Sequence, residues 1–357
     1  MLNGHAARPR GSSSRGLHGP PIQDILCVGE VLWDALPAGL FLGGAPFNVA
    51  CHLRAAGVPA TLVSRVGADA LGEEVLRRAA RYGVGVDLVQ TDPALPTGFV
   101  RVTVDDSGNA EFEIVEPSAW DAIEPTDALL ARAAAARAIV FGSLAQRNTV
   151  TRATIERLWD AKGLMVFDAN LRPPYDDREI IRRSLQRADI VKLNDDELRR
   201  LATWFDLGPD MREATAALAR AFACTIVCVT RGRDGAVLWH DGRWTEQPGF
   251  EVEVRDTVGA GDAFLAVLLA GLLAGTDDST LLRHATLMGA WVVTQSGAVP
   301  PDQPAVIAER RSAERTAGAV AEPAPESASQ AAPRPGSRGG QGSGGRAAAP
   351  RRKRPGR

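Results

Sequence analysis

The 357-residue sequence predicts an α/β protein built on a mostly parallel sheet, with a few strands set apart as a small second sheet. Two observations carry the first part. Short apolar runs of strand length alternate with longer runs of helix length from Ile25 to Val293. Polar clusters then fall at the ends of the strand runs, where open parallel sheets bind ligands. The third observation is local. Phe99 to Val104 and Ala110 to Val115 alternate in period two around Asp105-Asp106-Ser107-Gly108-Asn109, a hairpin signal that interrupts the rhythm.

Taken in order, residues 1–22 are rich in Gly, Ser, Pro and Arg and read as a disordered tail. No apolar segment of secretory type follows Arg8, Arg10 and Arg15, so no signal peptide is expected. A single domain then spans residues 23–308. Ile25 to Val28 is a buried strand, and Val31 to Leu36 a second extended piece carrying Asp34. That piece and the hairpin form a lid, with strands near 31–41 and 98–116. Gly43-Gly44-Ala45-Pro46-Phe47-Asn48 opens a helix that runs to Ala56, with Pro46 suited to its first turn. The double glycine marks either a plain tight turn or a close backbone approach to another group. Ala60 to Val66 follows as a strand and Leu71 to Tyr82 as a helix.

Later units keep the rhythm. Ala138 to Phe141 leads to the helix Thr149 to Ala161, and Leu164 to Phe167 to Glu179 to Arg187. Ile190 to Leu193 leads to Asn194 to Ala202, and the helix Glu213 to Ala223 precedes the strand Cys224 to Val229. Ala236 to His240 returns as a hairpin partner. Glu251 to Val254 reads as a β-type run ahead of Phe264 to Leu273, a helix apolar nearly all round and therefore buried. Leu281 to Val293 is the last helix. Residues 309–357 are Ala, Gly, Pro, Arg and Ser in the main, a disordered basic tail.

The net charge of −2 conceals an acidic body. The C-terminal tail holds eleven Lys or Arg against four Asp or Glu, and residues 1–22 hold three Arg and no acid. Removing the tails' +7 and +3 leaves a body near −12, which argues against nucleic acid as the main ligand of the core. No apolar run reaches the roughly 18–20 residues of a membrane span. Cys27, Cys51, Cys224 and Cys228 lack C-x-x-C spacing and read as buried free thiols, as in a reducing cytoplasm. The histidines lack the spacing of a zinc site.

The stretch with most chemistry is Asp256-Thr257-Val258-Gly259-Ala260-Gly261-Asp262-Ala263-Phe264. Two glycines at a helix start let backbone N–H groups converge on an anion, which the helix dipole also favours. No Lys follows them, so this is not a P-loop, and Phe264 stands where a dinucleotide turn needs glycine. Asp262 has two readings. It is a helix-starting cap, or a carboxylate set to take a proton from an attacking hydroxyl. Further polar clusters are Asp168-Ala169-Asn170-Leu171-Arg172, Asn194-Asp195-Asp196-Glu197 and Thr230 to Gly235.

Together these pieces, in this order over about residues 24–302, resemble the ribokinase-like (PfkB) family of carbohydrate kinases. Gly29 to Asp34, Gly43 to Ala50, Ala119-Trp120-Asp121 and Phe141 to Arg147 look most like its fructokinase branch. The resemblance implies a three-layer α/β/α core with a β-sheet lid. It also implies transfer of a phosphoryl group from ATP to a sugar hydroxymethyl group, fructose foremost. A ketodeoxygluconate-type kinase and a non-catalytic sugar sensor are the alternatives. Implied roles are Asp262 as base, with the Gly259, Ala260 and Gly261 amides holding the transferred phosphoryl group. Asp34, Gly43, Gly44 and Asn48 would bind the sugar, with Phe99, Arg101 and Trp120 at the lid and Arg172 at a phosphate. Thr230, Gly232 and Gly235 would hold nucleotide, and Asn194 and Glu197 would organise Mg²⁺. For Asn194 and Glu197 the alternative is an ordinary capping box. Asp256 shapes the turn or neighbours a K⁺ site, and the lid strands offer a route to a homodimer. One departure is Thr286, which stands where the family often carries Asn near adenine.

Overall fold

The computed structural model describes residues 24–36, 39–104 and 110–300; both predicted tails and the hairpin loop lie outside them. Nine strands form the main sheet in the order β13-β12-β11-β10-β9-β8-β1-β4-β5. In chain order these are β1 (Ile25–Val28), β4 (Ala60–Gly67), β5 (Gly85–Asp92), β8 (Ala138–Gly142), β9 (Leu164–Asp168), β10 (Ile190–Asn194), β11 (Ile226–Thr230), β12 (Ala236–His240) and β13 (Arg243–Gln247). Pairing is parallel from β5 through β11, and β12 and β13 add antiparallel at the edge.

Alternation along each strand sends side chains to two separate cores. On one face, Cys27, Val140, Val166 and Cys228 pack against α1 (Ala45–Ala55), α2 (Ala70–Arg81), α8 (Ala260–Leu273) and α9 (Asp278–Val292). On the other, Leu26, Phe141, Phe167 and Val227 meet α3 (Asp127–Ala135), α4 (Thr149–Leu158), α5 (Arg178–Arg187), α6 (Asp195–Phe205) and α7 (Met211–Phe222). This is the three-layer α/β/α core that was expected. Ala263 through Leu273 are all buried, so the helix that looked apolar all round is a central one.

The lid is a four-stranded sheet, β3-β2-β6-β7, made of β2 (Leu32–Leu36), β3 (Gly39–Gly43), β6 (Gly98–Val104) and β7 (Ala110–Ile114). Its β2–β3 half leaves the core directly after β1 and returns through Gly43-Gly44 into α1, and its β6–β7 half is inserted after β5. Gly44 has φ +110°, and a Cβ there would lie 2.4 Å from the Glu30 carbonyl oxygen. The two connections therefore touch, and the double glycine is a close backbone approach rather than a plain turn.

The structure corrects the sequence reading in places. Residues 251–254 form no strand and are exposed; the strand before the glycine-rich loop is β13, set by its pairing with β12. β5 and α3 were not anticipated. β5 pairs at the sheet edge with partly exposed residues, which blurs the apolar signal. Trp120 is fully buried with Arg147 stacked 4.0 Å over its ring, so it does not face a sugar.

Arg147 also fastens the end of the lid to the core. Its guanidinium donates to both Asp121 oxygens at 2.8 Å and to the Val115 carbonyl at 3.2 Å, with both charged side chains 5% exposed. Removing one partner leaves the other charge buried and unpaired. Arg147→Ala should lower the unfolding free energy by roughly 3–5 kcal/mol in urea denaturation; a loss below about 1 kcal/mol, the range of a surface pair, would contradict this.

Candidate active site

The polar clusters meet at one edge of the main sheet, where β1, β9, β10 and β11 end and the starts of α1 and α8 converge. Gly259 is the N-cap of α8 in the left-handed region, with φ +79°. A Cβ there would lie 2.5 Å from the Ala298 side chain, so glycine is required twice over. Asp256 shapes this turn, accepting the Val258 N–H and the Gly297 N–H at 3.0 Å each.

Asp262 stands at the third position of α8, and its side chain makes no capping bond. The cap reading therefore falls. Instead Asp262 accepts a 2.8 Å hydrogen bond from Asn48 Nδ2 across the α1–α8 contact. Asn48 is 3% exposed, and its Oδ1 is buried with no hydrogen-bond partner among the described residues. So Asn48 orients Asp262 and keeps an acceptor unspent. Asp34, on β2, faces Gly43, where a Cβ would lie 2.9 Å from its Oδ2.

A residue not singled out from the sequence completes the floor. Lys192 on β10 is buried and donates 3.1 Å bonds to both oxygens of Asp168 on β9. Its Nζ lies 2.9 Å from where a Gly261 Cβ would be, so a buried cation sits directly beneath the glycine-rich turn. The signal was a lone lysine inside the apolar strand Ile190-Val191-Lys192-Leu193.

Asn194 and Glu197 form the reciprocal capping box of α6: Asn194 Oδ1 accepts the Glu197 N–H and Glu197 Oε2 the Asn194 N–H, both at 2.8 Å. The other Glu197 oxygen accepts the Leu171 N–H at 2.8 Å, tying the Asp168–Arg172 loop to α6. In that loop Asn170 holds φ +35°, an uncommon value for a residue with a side chain. Arg172 is exposed and donates to its neighbour's carbonyl, Leu171 O, at 3.2 Å.

The nucleotide candidates separate. Gly232, φ +54°, faces open space, whereas Gly235 packs against Gln247 and Pro248 and serves the turn. Thr230 Oγ1 reaches Leu193 O at 3.3 Å. Thr286 bonds back to Leu282 O within its own helix. On the lid, Phe99 packs against the core, and Arg101 forms an exposed 2.9 Å pair with Glu113.

The electrostatics are those of crowded carboxyl groups. Burial pushes Glu30 up to about 7 and Asp34 up to about 6, with Arg172 opposing in both cases. Burial also raises Asp262 against the pull of Lys192, the Asn48 bond and Arg172. It raises Asp168 and Glu197 as well, again opposed chiefly by Lys192. Burial works against the Lys192 charge, but Asp168, Glu197 and Asp262 outweigh it and hold the ammonium protonated.

These shifts set a sign for pH dependence. Glu30 and Asp34 bind protons more tightly folded than unfolded, so their contribution is complete near pH 4 and is lost as pH rises through 6 to 7. Stability of the ligand-free protein in urea should fall between about pH 5 and pH 7; a profile that is flat or rising there would contradict the arrangement.

The comparisons place the chain by family and fold. The model of the pfkB family of carbohydrate kinases matches residues 36–305. A fructokinase of Klebsiella pneumoniae is 33% identical over 296 residues, covering 77% of this chain and 94% of that protein. The fructokinase of Xylella fastidiosa with bound ATP superposes with a TM-score of 0.68 at 26% identity, over 81% of this chain and 99% of that one. The fructokinase of Vibrio cholerae O395 bound to fructose, ADP and a calcium ion gives 0.68 at 25% identity, over 80% and 98%. On fold and sequence together, the chain belongs to the pfkB family of carbohydrate kinases.

Proposed function

We propose that the sugar is D-fructose and that the product is fructose 6-phosphate, formed by in-line transfer from ATP. The observation that carries the reading is Asp262, raised in pKa, oriented by Asn48 and set at the start of α8. A base works best when its pKa lies near the operating pH, and burial moves Asp262 in that direction. The sugar hydroxymethyl oxygen attacks the γ-phosphorus, its proton passes to Asp262, and ADP leaves. The Gly259, Ala260 and Gly261 amides, at the positive end of α8, face the charge on the transferred group. Lys192 beneath Gly261 adds a fixed positive charge to the same place.

The sugar would lie between the lid and the core. Asp34 and Asn48 Oδ1 supply acceptors for its hydroxyl groups, and Gly43 and Gly44 leave room for it. Fructose is favoured by the curated relatives at about a third identity and by the Vibrio cholerae structure. Mg²⁺ would supply positive charge that offsets the repulsion between the nucleotide phosphates and a site crowded with carboxyl groups. Both Glu197 oxygens already accept a backbone N–H, so Glu197 and Asn194 would reach the ion through water.

Asp262→Asn should keep ATP binding and lower kcat by roughly 10³-fold or more; near-normal turnover would sink the assignment of the base. A panel of sugars assayed with MgATP by ADP release should give the highest kcat/KM for D-fructose. A ketodeoxy sugar acid ranking first would move the specificity to that class. Sugar binding with no turnover on any member would favour a sensor.

A further inference from the structure

Glu30 is absorbed by none of the roles above, yet it is buried beside the groups of the site. It follows β1, the strand from which the lid departs, and its backbone is pressed against Gly44, where the lid returns. The side chain is 3% exposed, and Oε2 is buried without a hydrogen-bond partner among the described residues. The charged groups acting on it are Asp262 of α8 and Arg172 after β9, while the N–H groups of Glu30 itself and of Ala45 on α1 oppose its neutralisation.

A buried carboxyl oxygen left without a donor is costly, and native interiors avoid it unless a ligand or water supplies one. Asn48 Oδ1 is in the same condition, and Asn48 holds Asp262. Two orphan acceptors therefore belong to side chains associated with the same carboxylate. A packing role for Glu30 would not require a carboxyl group at all. A capping role toward α1 would engage one oxygen and leave Oε2 unexplained.

We propose that Glu30 is a substrate-positioning residue whose Oε2 takes a hydrogen bond from a hydroxyl group of the sugar, adjacent to the hydroxymethyl group that reacts at Asp262. Because Glu30 stands where the β1–β2 and β3–α1 connections meet, a sugar held there is held at one attachment of the lid to the core. The inference rests on the carbohydrate-kinase assignment and not on fructose, so it applies to whichever sugar ranks first in the MgATP panel.

The test is Glu30→Gln, which keeps the shape of the side chain and puts a donor where the acceptor was. Assayed near pH 8, where Glu30 is ionised, KM for the best panel sugar should rise about 10- to 100-fold, the value of a hydrogen bond to a charged group, with KM for ATP within about twofold. Monodeoxy analogues of that sugar supply the second reading. One of them should lose affinity with the wild type yet be indistinguishable from the parent sugar with the variant, the signature of a direct pair. A sugar KM within about threefold of wild type, or analogues discriminated as before, would overturn the proposal. Parallel losses for sugar and ATP would overturn it too, as a purely structural effect. If Glu30→Gln does not fold, Glu30→Asp, which withdraws the carboxyl group by one methylene, is read by the same criteria. Absence of turnover with every sugar on the wild type would remove the reading beneath the inference, and the inference with it.

Discussion

Five carboxyl groups, those of Glu30, Asp34, Asp168, Glu197 and Asp262, crowd the strand ends, with Lys192 and Arg172 as the cations acting on them. Fully ionised, this set is repulsive, and the architecture around it exists to hold it. The Lys192–Asp168 pair is buried across adjacent strands, where its geometry depends on sheet register. Glu197 is held by two backbone N–H groups, and Asp262 by an amide from another helix. Each carboxyl group is thus placed by a different element, and no loop alone could assemble them.

That imbalance gives the site its chemistry. Burial raises the basicity of Asp262 against the pull of Lys192, Asn48 and Arg172; the excess of carboxyl groups would favour a metal–nucleotide complex over a bare nucleotide. Phosphate groups then need their own local compensation. In the proposed mechanism the start of α8 and the Lys192 ammonium below it would provide this, with no P-loop lysine.

The glycines mark where this economy of space is strictest. Gly44 lets the returning lid strand press on Glu30, Gly259 lets the turn press on Ala298, and Gly261 leaves the position above Lys192 bare. A side chain at any of them would push apart two elements that must touch for the site to exist. Glycine-rich motifs here report packing against a partner as much as freedom of the backbone.

The sequence by itself determined the α/β layering, because period-two and helix-length apolar runs directly reflect burial on a sheet and its helices. It also marked Asp262, Asn48, Asp34 and Asn194–Glu197, since each lies in a compact local pattern. Edge strands β5 and β13 escaped, as their burial is partial and their pairing non-local. Tertiary structure alone decided what each residue touches. Asn48 and Asp262 are 214 positions apart, and Lys192 and Asp168 are 24 apart, so neither contact has a local signature. The same reason hid Glu30, whose unpaired oxygen becomes visible only when strand, lid connection and helix are in place around it.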